Sequence, residues 1–186
     1  MKLTIKILAG VILSYGLVAN AATAPDLGYM LGFKNANYDI DNVSTSSKPG
    51  VMLGVISVLD LGGIKLRTGG YYAERNSEIK GQSTTNDDVE VGLSYVDVPV
   101  TLYFGNESFG FFAGAVAAMK LNDSVKTSSG TFELEDVSSV HFAGTAGMRA
   151  VFGPNWAGEL SYEMGLNDLA KDVEASAVSL NLQFIY

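Results

Sequence analysis

Over residues 177–186, Val178, Leu180, Leu182, Phe184 and Tyr186 fall on one parity and Ser179, Asn181 and Gln183 on the other. A period of two with one apolar face is the mark of a β-strand, and roughly 9–11 tilted residues suffice for such a strand to cross a bilayer. The alternation recurs upstream. Residues 27–38 set Leu27, Tyr29, Leu31 and Phe33 against Gly28, Met30, Gly32 and Lys34. Residues 51–61 form a second strand whose faces separate poorly, with Val51, Leu53, Val55 and Leu59 against Met52, Gly54, Ile56 and Asp60. After the Gly62-Gly63 hairpin, residues 64–74 return with Ile64, Leu66, Thr68 and Tyr72 opposite Lys65, Arg67, Gly69 and Tyr71.

Residues 89–104 carry Val96, Val98, Val100, Leu102 and Phe104 on one parity, but Leu93 and Tyr95 on the other. The switch predicts a bulge near Tyr95, beside Pro99, which has no amide to donate. Residues 108–120 have the apolar content of a buried helix, but their glycines and flanking turns favour a strand. Residues 135–152 place Val140, Phe142, Ala146, Met148, Ala150 and Phe152 against His141, Thr145, Gly147 and Arg149. After Gly153-Pro154-Asn155, Trp156, Leu160, Tyr162, Met164 and Leu166 oppose Glu159, Ser161 and Glu163. The polar stretches 39–50, 75–88 and 121–134 read as long loops, alternating with short turns. Eight strands result, an even number, with the long and short connections of an up-and-down antiparallel transmembrane β-barrel.

Composition adds an export signal and excludes some partners. Lys2 and Lys6 precede an uncharged run over 7–18, too short for a membrane helix, and Ala19-Asn20-Ala21 offers a cleavage site. Residues 1–21 therefore read as a secretory signal peptide and 22–186 as one barrel domain. The leader holds two of the twelve basic residues and none of the twenty acidic ones, leaving a formal charge of −10. Such acidity argues against a nucleic-acid partner, and the absence of cysteine rules out disulfide or thiol chemistry. Past the leader, no apolar run reaches 18 residues, so crossing a membrane would require a closed barrel.

Parity alone does not say which face meets lipid, but composition does. The polar face is rich in small residues and carries sparse charges of both signs: Lys34, Lys65, Arg67, Asp97, Arg149, Glu159 and Glu163. A solvent-washed exterior would be more densely charged, whereas the interior of an eight-stranded barrel is filled by side chains. These seven are expected to form a mutually neutralised network in the lumen, with Glu159 and Glu163 meeting Arg67, Lys65 or Arg149. The apolar face is then expected against lipid. Tyr29, Phe33, Tyr72, Phe104, Phe109, Phe152, Trp156, Tyr162 and Tyr186 are candidate interfacial aromatics.

The segments Tyr95-Val96-Asp97-Val98-Pro99-Val100, Phe111-Phe112-Ala113-Gly114, residues 144–149, and Glu159-Leu160-Ser161-Tyr162, with the aromatic C-terminus, resemble the small outer-membrane β-barrel or "porin-family" domain proteins, akin to eight-stranded OmpA- and OmpX-like barrels. The resemblance implies a place in the outer membrane of a Gram-negative bacterium. It also implies insertion by the barrel assembly machinery, which would recognise Leu180, Leu182, Phe184 and Tyr186 as a C-terminal signal. It does not imply a pore, since eight strands leave little lumen.

The role expected is structural or surface-interacting (adhesion or protection), with a side-chain-filled lumen. The alternatives are a narrow channel for small solutes or ions and a lipid A-modifying enzyme. His141, the sole histidine, has Asp136, Ser138 and Ser139 near it in sequence, which suggests a hydrolase triad. The surroundings of His141 match no motif of the barrel enzymes, so no enzyme is expected. Acidic residues gather in the polar segments: Asp39, Asp41, Glu74, Glu78, Asp87, Asp88, Asp123, Glu133, Glu135, Asp136, Asp168, Asp172 and Glu174. None has the spacing of a calcium loop, and no cofactor or metal site is expected. The expected partners are outer-membrane lipid, lipopolysaccharide and an extracellular ligand met by the acidic loops.

Overall fold

A computed structural model describes residues 26–40, 45–61, 64–79, 89–106, 108–127, 130–132, 137–169 and 173–186. The leader 1–21 and the Gly62-Gly63 pair lie outside them. The described strands are β1 (Asp26–Ile40), β2 (Thr45–Asp60), β3 (Lys65–Ile79), β4 (Val89–Gly105), β5 (Phe109–Thr127), β6 (Gly130–Phe132), β7 (Val140–Val151), β8 (Trp156–Gly165) and β9 (Val173–Ile185). Eight of them pair antiparallel with their neighbours in chain order. β9 returns to β1, so the sheet closes on itself. β6 is a three-residue flap on the end of β5.

Closure removes both sheet edges, which a barrel in lipid requires. The last strand is the seam: β9 pairs with β8 on one side and with β1 on the other, and the Tyr186 amide donates to the Leu27 carbonyl at 2.9 Å. Leu180, Leu182 and Phe184 point outward, exposed by 60%, 43% and 36%. The same outer belt holds Tyr29, Leu31, Phe33, Leu53, Leu102, Phe111, Phe142, Leu160 and Tyr162, all exposed.

Of residues 108–120, all but Ser108 form strand, within β5. Three stretches read as loops carry strand. Residues 45–50 belong to β2, 75–79 to β3 and 121–127 to β5. Sequence polarity misleads there because the ladder continues beyond the apolar belt, where the outer face turns polar. Conversely, 137–139 precede β7 and are not strand. Of the acidic residues assigned to loops, Asp39, Glu74, Glu78, Asp123 and Glu174 sit on strands. Asp41, Asp87, Asp88, Glu133, Glu135, Asp136 and Asp172 lie outside the described residues.

The register does shift between Ser94 and Tyr95, but the extra residue is Leu121 on the facing strand, since Ser94 pairs with Asn122 and Tyr95 with Lys120. The register of β4 with β3 never shifts, and Leu93, Tyr95, Asp97, Thr101 and Tyr103 share the inward parity and are buried, with Val96 and Val98 of the other parity covered as well. A second shift lies in β2 between Lys48 and Met52, beside Pro49. The poor face separation of β2 has a physical origin too, because its inward residues Met52 and Ile56 pack with Met30, Tyr71 and Ala73 inside the barrel.

Short turns close one end. The Leu61 amide donates to the Ile64 carbonyl at 2.9 Å. The Asn106 carboxamide oxygen accepts the Ser108 and Phe109 amides at 2.9 and 2.8 Å, an Asx-type turn.

Candidate functional site

The inward positions of the strands carry the chemistry. At mid-height, Lys34 on β1 meets Asp97 on β4 and Glu163 on β8. Its Nζ donates to Asp97 Oδ2 at 2.7 Å and to the two Glu163 oxygens at 2.8 and 2.9 Å. Arg75 on β3 completes the group, its Nη2 reaching Asp97 Oδ2 at 2.9 Å and Glu163 Oε2 at 3.4 Å. Two cations and two carboxylates share one enclosed volume, and Lys34 and Asp97 have no exposed side-chain surface. An unpaired charge at such a depth is expensive, whereas a balanced and hydrogen-bonded set is tolerated.

Arg75 was missed in the sequence because it opens a polar stretch read as a loop. Extending the odd parity of Arg67 and Tyr71 by two more steps reaches it. Nearer the short turns, Arg67 Nη2 pairs with Glu159 Oε1 at 2.9 Å. Gln183 Nε2 donates to Glu159 Oε2 at 2.6 Å, and Arg149 Nε donates to Gln183 Oε1 at 3.1 Å. Thus Glu163 meets Lys34 and Arg75 rather than the Arg67, Lys65 or Arg149 of the sequence reading. Lys65 sits at the short-turn end of the same face, half-buried and opposite Tyr103 in the ladder.

Each of four lumen cations also stands over an aromatic ring. Lys34 lies 5.5 Å from the centroid of Tyr71, Arg67 5.1 Å from Phe112, Arg75 4.6 Å from Tyr95 and Arg149 5.9 Å from Tyr103. These distances suit cation–π attraction in a desolvated setting. The rings need room, and glycine supplies it. A Cβ on Gly147 would sit 2.4 Å from the Phe112 ring, and one on Gly110 2.4 Å from that of Tyr103.

Beyond the charged centre, Ala36, Tyr38, Leu93, Tyr95, Ala118, Leu169, Ala175 and Ala177 pack into an apolar plug. The Tyr38 hydroxyl donates to the Arg75 carbonyl at 3.0 Å, tying plug to centre. Two cavities along the lumen measure about 10 Å³ each, one beside Arg67 and Thr145 and one between Arg75, His141 and Glu163. That is the lower limit of volume for a single water.

His141 is buried on the inward face of β7. The Ser138 hydroxyl is turned to the Val140 carbonyl at 2.6 Å, Ser139 is exposed, and Asp136 lies outside the described residues. Among the described residues no group of three histidine or acidic side chains is placed to hold a metal ion.

The aromatics of the outer wall cluster towards the short turns. Trp156 stands edge-on to Phe184 at 5.0 Å, Phe109 to Phe111 at 5.1 Å, and Tyr29 lies 5.7 Å from Tyr186. Phe104 and Phe152 are exposed at the same end, and Phe33 and Tyr162 face outward within the belt. Tyr72 differs: it is half-buried, and its hydroxyl donates to Glu74 Oε1 at 2.9 Å and lies 3.1 Å from Ser94 Oγ. It marks the height at which the outer wall turns from apolar to polar.

The fold is similar to that of Ail, the attachment invasion locus protein of Yersinia pestis, in its complex with the heparin analogue sucrose octasulfate. The two share 15% identity, with 88% of this chain and 100% of that one covered, at a TM-score of 0.56. Neisserial surface protein A is similar to the same degree, with 11% identity, the same coverage and a TM-score of 0.57. At such identities the likeness is one of fold. No protein of curated function matches the chain by sequence. Residues 19–171 match the family described as outer membrane protein beta-barrel domain. Closed, eight-stranded, apolar outside and ionic within, the chain belongs to that family of outer-membrane β-barrels.

Proposed function

We propose that this protein is exported through a cleaved leader and resides in the outer membrane of a Gram-negative bacterium. There it acts as a structural or surface-interacting barrel, for adhesion or protection, rather than as a conduit. The observation that carries this reading is the filled lumen: its carboxylates are paired, its cations rest on rings, and an apolar plug lies above them. In this reading the charge set of Lys34, Arg67, Arg75, Asp97, Arg149, Glu159 and Glu163 serves stability, and Lys65 adds charge at its rim. Leu180, Leu182, Phe184 and Tyr186 present the strand recognised by the barrel assembly machinery. Tyr29, Phe33, Tyr72, Phe104, Trp156 and Tyr162 sit at or near the lipid interfaces.

The polar ends of β2 to β5 stand above the lipid and would meet lipopolysaccharide and an extracellular ligand. Attachment, named for Ail, is the activity this arrangement fits best. Conductance across planar bilayers, paired with attachment of cells displaying the protein, tests the reading. Attachment above that of cells lacking the barrel, without discrete conductance steps, is expected. Regular steps abolished by filling the lumen would overturn it in favour of a channel.

A further inference from the structure

Several strand glycines have an evident structural reason. A Cβ on Gly32 would meet the Leu180 carbonyl oxygen at 2.3 Å, one on Gly54 that of Gly70 at 2.4 Å, and one on Gly114 that of Val100 at 2.1 Å. Gly92 is different. It lies on the outward face of β4, and a Cβ there would find only the Ser124 hydroxyl at 3.1 Å, the Asn76 side-chain oxygen at 3.6 Å and the Ser124 carbonyl oxygen at 3.9 Å. No backbone contact forbids a side chain, and a rotation of Ser124 would admit one. Glycine inside a strand weakens it and often marks a bulge, a bend or a close approach; at Gly92, two residues from the register shift, it also leaves open space on the outer wall.

Its missing side chain is the floor of a groove of about 510 Å³ across the outer faces of β2 to β5. Asn76, Ser94, Asn122 and Ser124 supply amides and hydroxyls along its sides. Lys48, Glu90 and Lys126 bound its far end. The charges there balance in sign: Lys48 pairs with Glu78 at 2.9 Å and with Glu90, and Lys126 is the ladder neighbour of Glu90. A groove with amides and hydroxyls and compensated charge suits an uncharged, hydroxyl-rich ligand better than a polyanion. Its near end reaches Glu74 and Ser94, which hold the Tyr72 hydroxyl where the apolar belt stops. A ligand in the groove is therefore within reach of acyl chains lying on that belt.

We propose that this groove binds an uncharged sugar unit of a glycolipid anchored in the same membrane leaflet. The proposal rests on the membrane-barrel reading above, and the test separates the two. Wild-type protein and Gly92→Leu are inserted into phosphatidylcholine bilayers with increasing fractions of rough-type lipopolysaccharide. Amide resonances of Gly92 (wild type) and the side chains of Asn76 and Asn122 are followed by NMR. Saturable shifts confined to the groove are expected, weakened about tenfold in Gly92→Leu, with unchanged heat-modifiable migration showing that the variant is folded. Shifts that fail to saturate, or equal affinity in the two proteins, would overturn the groove while leaving the barrel intact. Deacylated core oligosaccharide binding as tightly as the anchored lipid would overturn the glycolipid assignment. Failure of both proteins to insert would overturn the membrane reading itself, and the groove with it.

Discussion

The two halves of this barrel are built on opposite rules. In the half bearing the short turns, apolar side chains face out and the interior holds paired ions and amides beside a small apolar cluster, with Leu102 and Phe104 outside and Arg67, Glu159 and Gln183 within, next to Met30, Met52 and Ile56. In the half beyond Tyr72 the pattern inverts. Asn35 and Asn37 follow Phe33 on the outside of β1 while Ala36 and Tyr38 are buried inside. On β4, Ser94 and Glu90 continue the outward row of Val100 and Leu102, while Leu93 and Tyr95 fill the interior. The backbone alternation of β1 and β4 runs through unbroken; the solvent outside changes. In hydrocarbon the wall must be greasy and the lumen can absorb charge in pairs, whereas in water an ordinary apolar core returns.

If the lower half is held by balanced charge, its largest vulnerability is Lys34. Lys34→Met would leave Asp97 and Glu163 with only Arg75, and should destabilise the barrel by about 3–5 kcal/mol in urea titrations from lipid vesicles. A change within about 0.5 kcal/mol, the size usual for uninvolved positions, would show that the cluster contributes no stability. The outer wall is the next test. Leu182→Arg should cost roughly 2–4 kcal/mol if that position lies at the bilayer midplane, and a neutral result would break the inside–outside assignment of the lower half.

The upper half should behave as a soluble core does. Leu93→Ala is expected to cost about 2–3 kcal/mol through its cavity, whether the barrel sits in lipid or detergent, while the loss for Leu182→Arg should depend on the lipid. The smallest effect is expected at Lys48. Its hydrogen bond to Glu90 holds that carboxyl below the usual range, so this contribution is present above the ordinary carboxylate pKa and fades as pH falls through the lowered one. An NMR titration of Glu90 should report a depressed midpoint that Lys48→Ala raises towards the ordinary one, Lys126 holding back the remainder.

The inversion also explains what could be read from the chain. The lower halves of the strands were legible because a period of two marks strands with one apolar and one polar face, and the sparse charge of the polar face assigned it to the interior. The closing strand and six of the seven charges now seen in the lumen salt bridges and Gln183 network followed from it. The upper halves were not, because 45–50, 75–79 and 121–127 show water their polar side and so read as loops. Arg75 was lost with them. The same inversion in β4 imitated a bulge at Tyr95, and a real register shift at that height is made by Leu121 of the neighbouring strand. The groove at Gly92 was invisible in sequence, since a glycine required by crowding and one that leaves space look alike without neighbours.

The protein carries its own reporter of the central assignment. Trp156 is its one tryptophan, faces outward and packs edge-on against Phe184. With the protein folded into vesicles whose acyl chains carry bromine, its fluorescence should be strongly quenched by the lipid and little affected by acrylamide in the water. Strong acrylamide quenching with indifference to brominated lipid would place that wall in solvent and contradict the account.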